Sequence, residues 1–212
     1  MTDAIDEAEE VKRDVGRRRL PDGEGRTVMI TRTYGAGVEE VWDACTNPER
    51  VPRWFLPVTG DLRPGGRYQL KGNAGGTIER CEPPQMLAAT WEYGESVSWI
   101  ELRLTDSGSG QTTLQLTHIA PVEDGGHWAQ FGPGATGVGW DLALMGLGRH
   151  LSSGERLDPD RAAAWGASEE GREFISLCSR QWGEAAIAAG EPADAARAAA
   201  GRTTAFYLGE TE

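Results

Sequence analysis

Between residues 64 and 119 the chain changes character every few residues, and this rhythm constrains the fold more than any other feature of the sequence. Segments of four to eight residues, clearest at 67–71, 77–81, 87–93, 97–104 and 112–119, are separated by residues that accept or enforce turn dihedrals. The separators are Pro64-Gly65-Gly66, the stretch 72–76, Pro83-Pro84 and the stretch 106–110. Within the segments the apolar residues take alternate positions: Tyr68 and Leu70, then Leu87, Ala89, Trp91 and Tyr93, then Ile100, Leu102 and Leu104, then Leu114, Leu116 and His118. Side chains of a strand alternate between its two faces, so this pattern predicts an antiparallel meander with one apolar face that has to be covered.

The cover expected for that face is a helix over about 138–151, where Trp140, Leu144, Leu147 and Leu151 fall at i, i+4, i+7 and i+11. Gly139, Gly146 and Gly148 each cost such a helix about 1 kcal/mol relative to alanine and supply no side chain. They read as room left for something else. Upstream, Val28, Ile30 and Tyr34 share one parity and predict a first strand from about residue 27. Val38, Val41, Trp42 and Cys45 then recur at helical spacing, and Asn47-Pro48 reads as the start of a second short helix.

The flanks read differently. Residues 1–25 are polar, lack aromatic residues and end in turn formers, which predicts an N-terminal tail. Arg17, Arg18 and Arg19 lie in it behind Asp3, Asp6, Glu7, Glu9 and Glu10 and receive no function. Beyond Gly154 the chain becomes alanine-rich, with helix starts at Asp158-Pro159 and Ser168-Glu169-Glu170 and a stop at Gly190. The expected organisation is thus a tail (1–25), an α+β helix-grip domain (26–154) whose curved antiparallel sheet wraps a long helix, and a helical extension (155–212). That extension would pack on the domain or on a second copy in a homodimer.

Several function classes are set aside by composition. A formal net charge of −12 over 212 residues repels a nucleic-acid backbone. No run approaches the ~18 consecutive apolar residues of a membrane span, and the acidic N-terminus does not read as a signal peptide. Cys45, Cys81 and Cys178 are widely spaced and odd in number, which fits a reducing, cytoplasmic location.

The strings VWDACTNPERVPRWF (41–55), DLRPGGRYQL (61–70), GTIERCEPP (76–84) and LAATWEY (87–93) resemble the START-like superfamily, in the branch of the activator of heat-shock protein 90 ATPase. TTLQLTH (112–118) and GWDLALMGLGRHL (139–151) match that branch's last strand and long helix in order and spacing, so the resemblance covers about 27–152. It implies the same helix-grip fold, often with a cavity between sheet and last helix. It also implies functions as unlike as lipid carriage, hormone reception, cyclisation and chaperone activation.

No catalytic residue, metal site or cofactor is assigned. His118, His127 and His150 lack ligand spacing, and no nucleophile elbow is present. Gly132-Pro133-Gly134-Ala135-Thr136-Gly137 satisfies G-x-G-x-x-G but follows no hydrophobic strand. The expected function is non-catalytic binding of a small hydrophobic or aromatic molecule. Its pocket would be lined by Tyr68, Leu70, Trp91, Tyr93, Leu102, Leu114, Leu116, His118, Trp140, Leu144 and Leu147, with Trp128 and Phe131 as a candidate lid. His118 reads either as a hydrogen-bonded core histidine or as an acid, base or ligand donor. The alternatives are a chaperone-binding protein and a cyclase- or hydrolase-like enzyme in which His118 works with Tyr68 or Tyr93.

Overall fold

The computed structural model describes residues 4–122 and 126–210. Eight strands form one sheet in the order β1-β2-β8-β7-β6-β5-β4-β3: β1 (Lys12–Leu20), β2 (Gly23–Tyr34), β3 (Val58–Gly60), β4 (Arg67–Leu70), β5 (Gly75–Glu82), β6 (Met86–Tyr93), β7 (Ser96–Gly108) and β8 (Gln111–Pro121). The helices are α1 (Ala4–Glu9), α2 (Val38–Thr46), α3 (Gly126–Phe131), α4 (Gly134–Ser153), α5 (Pro159–Ala167), α6 (Glu169–Ala188) and α7 (Ala193–Tyr207). This is the α+β helix-grip order expected from the sequence. No described helix is long and apolar enough to cross a membrane.

By contacts the chain divides into two compact units, and the division does not follow the expected boundaries. One unit comprises Thr31–Pro121 and Gly146–Leu157; the other comprises Met1–Ile30, Val122–Met145 and Asp158–Glu212. The sheet unit holds β3 to β8, the end of β2, α2 and the end of α4. Its strands pair antiparallel from β3 through β8, with register shifts at Ile78/Arg80 and Asp106/Gly108. Gly76 lies so close to β6 that a Cβ there would meet the Thr90 carbonyl oxygen at 2.1 Å, so only glycine fits.

In the same unit α2 buries Val41, Trp42 and Ala44. The helix expected to start at Asn47 is only a single 3-10 turn over Val51–Arg53. Asn47 instead ends α2: its N–H donates to the Asp43 carbonyl, while its side-chain oxygen accepts from Glu49 N–H at 2.9 Å. Trp54 donates its indole N–H to the Ala44 carbonyl at 2.9 Å, closing this segment onto α2. Arg50 binds Glu40, Asp43 and the ring nitrogen Nε2 of His150 at 3.2 Å, joining α2 to the end of α4. Arginine only donates, so His150 Nε2 accepts and Nδ1 carries the proton, 3.1 Å from the Glu155 carbonyl.

The helical unit corrects the reading of residues 1–25 as a tail, because Lys12–Leu20 is a strand that hairpins into β2. The strand escaped detection because the group it buries is a guanidinium. Arg13 meets Asp141 of α4, Nη2 to Oδ1 at 2.7 Å, with both side chains nearly fully buried. The second carboxylate oxygen accepts the indole N–H of Trp182 in α6 at 2.8 Å, and the guanidinium also donates to the carbonyls of Ala8 and Val11. A buried charge is tolerated only when paired and hydrogen-bonded in this way; removing one partner of such a pair typically costs about 3–5 kcal/mol.

Gly137 stands four residues before Asp141 and therefore on the same side of α4. A Cβ at 137 would come within 2.2 Å of Trp182 Cε2, so the glycine and the carboxylate together seat one indole. The other glycines of α4 are filled as well: Gly134 abuts Thr203 and Gly139 the Tyr207 hydroxyl, while in the sheet unit Gly146 abuts the Trp54 carbonyl and Gly148 abuts Arg32 and Tyr34. Protein groups, not a ligand, occupy the space these glycines leave. The helix starts at Asp158 and Ser168 are N-caps, accepting from Asp160 and Arg161 and from Gly171 respectively.

Two glycine substitutions separate close packing from helix propensity. Gly137→Ala is expected to lower unfolding stability by several kcal/mol, about 2 or more, since the Trp182 ring is held by Asp141 and cannot yield. Gly201→Ala, in α7 with open space around it, is expected to raise stability by about 0.5–1 kcal/mol. Urea unfolding of both variants checks the pair.

Candidate functional site

Within the sheet unit, register assembles one apolar face from residues far apart in sequence. Ala89 of β6 stands opposite Ile100 of β7, and Ile100 stands opposite His118 of β8. The next row places Trp91 opposite Ser98, and the row on the other side places Leu87, Leu102 and Leu116 side by side. Toward β4 the face continues through Ile78, opposite Ala89, to Tyr68 and Leu70. Tyr68, Leu70, Ile78 and Ala89 are buried and form a cluster, around which Phe55, Leu56, Leu62, Cys81, Leu87, Trp91 and Ile100 are packed but retain some exposure.

The polar element of this face is a short chain of hydrogen bonds. Ser98 Oγ lies 2.9 Å from His118 Nε2 and donates to the Trp91 carbonyl at 3.1 Å. The Trp91 ring meets the imidazole edge-on, with centroids 5.9 Å apart and planes at 64°. Tyr68 donates its phenol to the Thr90 carbonyl at 2.7 Å, and burial pushes that phenol far above its usual pKa. It is therefore a fixed structural donor and not an acid ready for proton transfer. The enzyme reading that paired His118 with Tyr68 or Tyr93 finds the first hydroxyl committed to a main-chain carbonyl and the second ring 63% exposed.

The remaining expected pocket residues fall as follows. Leu102, Leu114, Leu116 and Leu147 are buried in the sheet unit, and Trp140 and Leu144 are buried residues of α4 assigned to the helical unit. The two candidate lid residues lie on the short helix α3. Phe131 is buried with its ring 5.4 Å from that of Phe206, and its carbonyl accepts from the Thr203 hydroxyl at 2.9 Å. Trp128 is half-buried under the guanidinium of Arg26, 4.8 Å from the ring centre. Sequence reasoning missed Ser98, whose signal was its parity: it is a serine in register with Ile100 and Leu102. It also missed Phe55, Leu56 and Leu62, which lie in irregular segments where no period marks a face. Among the described residues no group of three His, Cys, Asp or Glu is placed to hold a metal.

Comparison with known proteins extends this picture. Residues 36–152 match the family described as Activator of Hsp90 ATPase homolog 1-like protein. The crystal structure of CalU16 from Micromonospora echinospora is 38% identical, with 81% of this chain and 98% of CalU16 covered at a TM-score of 0.63. The solution structure of the same protein gives 37% identity, 84% and 94% coverage and a TM-score of 0.67. DynU16, a protein of the dynemicin biosynthetic locus, is 26% identical over 62% of this chain at a TM-score of 0.52; this chain spans 50% of its length. No curated protein matches.

His118 carries the clearest electrostatic signature of the face. Desolvation lowers its pKa from the ordinary 6.5 to about 4, so the ring is neutral at physiological pH. The unfolded chain takes up a proton near pH 6.5 and the folded protein only near 4, so this group's contribution to stability is complete above pH 6.5 and is lost as pH falls toward 4. The loss is at most about 3 kcal/mol. A histidine NMR titration is expected to show His118 neutral down to about pH 4, and His118→Gln is expected to flatten the stability profile between pH 6.5 and 4. Protonation of the folded protein's His118 near pH 6.5 would contradict this.

Proposed function

Because this chain belongs to the Activator of Hsp90 ATPase homolog 1-like family, a helix-grip family, we propose that it binds a small hydrophobic or aromatic molecule on the apolar face of the sheet unit and performs no chemistry on it. One observation carries the reading: the buried cluster of Tyr68, Leu70, Ile78 and Ala89 is ringed by apolar side chains that are only partly buried. A saturated core leaves its large apolar groups covered, whereas a lining keeps them available to a guest. A neutral His118–Ser98 pair at the edge of such a face gives orientation without charge.

The non-catalytic part of the reading rests on commitment of the polar groups. The Tyr68 phenol is bonded to the main chain, and the base beside Ser98 is a His118 whose pKa desolvation lowers to about 4, too weak to activate the hydroxyl, so neither stands ready as acid or nucleophile. The membership of the relative DynU16 in a biosynthetic locus supports a small-molecule guest. The family description favours a second reading, docking to a chaperone ATPase. An unchanged ATPase rate of the cognate chaperone on addition of this protein would remove that reading.

The test of binding uses N-phenyl-1-naphthylamine, a neutral dye whose emission rises in apolar surroundings. At roughly 0.3–0.4 kcal/mol per non-hydrogen atom, it is expected to saturate with a Kd on the order of 10–100 µM. Ile100→Trp, which fills the centre of the face, is expected to weaken binding about tenfold or more while leaving the urea midpoint nearly unchanged. Equal binding by the variant would place the dye elsewhere and count against the proposal.

A further inference from the structure

Exposure along the apolar face is graded. Across β6, β7 and β8 it runs from buried Leu102 and Leu116, through half-buried Ile100, Trp91, Ser98 and His118, to Tyr93 at the hairpin end, which is 63% exposed. A guest on this face has an apolar end and a polar end assigned to it by position alone. The polar end meets Ser98.

What Ser98 can still accept follows from counting its protons and lone pairs. The hydroxyl has one proton, and its two contacts are the Trp91 carbonyl, which can only accept, and His118 Nε2. If the proton goes to the carbonyl, Nε2–H donates to Oγ and one lone pair remains. If the proton goes to Nε2, both lone pairs remain. In either arrangement the proton is committed and the unused capacity is an acceptor. Ser98 is half-buried, so a guest that covers it must bring a donor or leave the lone pair unmet.

Charge narrows the class further. Desolvation keeps His118 neutral, and Trp91, Ser98, Ile100 and Ala89 beside it carry no charge. An anion buried here would lose its hydration without gaining a counter-charge. Resting on the binding reading above, we propose that the ligand is a neutral aromatic molecule bearing a hydrogen-bond donor, a phenol or an aryl amine, which lies with its ring toward Ala89, Ile100 and Leu102 and donates to Ser98 Oγ.

The experiment compares 2-naphthol, 2-methoxynaphthalene and 2-naphthoate, which share a ring system and differ in one group, as competitors of N-phenyl-1-naphthylamine at pH 7.5. The expected result is that 2-naphthol binds about fivefold or more tightly than 2-methoxynaphthalene, the effect of one net hydrogen bond, with 2-naphthoate weakest. Ser98→Ala is expected to erase the preference by weakening 2-naphthol alone, and Ser98→Thr, which keeps the hydroxyl, to retain it. Equal affinities of 2-naphthol and 2-methoxynaphthalene, or a preference that survives in Ser98→Ala, overturns the donor assignment while the binding reading stands. Tightest binding of 2-naphthoate overturns the neutral class. Failure of all three compounds and the dye to bind removes the binding reading itself.

Discussion

The register of β6, β7 and β8 is the constraint on which the site depends. Because side chains alternate strictly, a slip of one residue in either pairing would turn Ala89, Ile100 or His118 to the opposite face and replace it with a neighbour such as Ala88, Trp99 or Thr117. The register is held by apolar burial over long ladders, with Leu102, Leu104, Leu114 and Leu116 all buried. Ser98 and His118 meet only because this alignment sets them one row apart on adjacent strands. The functional proposal is therefore a consequence of strand pairing before it is a matter of any single residue.

The helical unit rests on a different interaction, the buried carboxylate of Asp141. It accepts from Arg13 of β1 and Trp182 of α6, and so holds a strand and two helices to one point. Gly137 beside it makes room for the Trp182 ring. An apolar replacement of the whole triad would be no weaker in principle, but loss of one member leaves a buried charge or indole unpaired. Specific geometry and dependence on every partner come together in such an arrangement.

Much of the sheet was legible from sequence because its period of two survives in Tyr68 and Leu70, in Leu87 to Trp91, and in Leu114 to His118. The N-terminal strand was not, since the pattern KRDVGRRRL has no apolar alternation and its buried residue is an arginine whose partner lies 128 positions away. The α4 glycines were legible as anomalies but not in meaning. A missing side chain marks a close approach without saying what approaches, and here Trp182, Tyr207, Trp54 and Tyr34 do. At the site, parity exposed His118 and would have exposed Ser98, whereas Phe55 and Leu62 sit in irregular backbone that no period reaches. Tyr93 shows the opposite limit: it has the parity of the face yet lies beyond its covered end.

The most direct measurement of the central claim is a chemical-shift map of the isotope-labelled protein titrated with 2-naphthol. The account predicts that the largest shifts cluster on the rows formed by Leu87, Ala89, Trp91, Ser98, Ile100 and His118, with the imidazole signals of His118 among them. Shifts concentrated on the opposite parity, at Ala88, Thr90, Trp99 and Thr117, or on the β1–β2 hairpin, would contradict it.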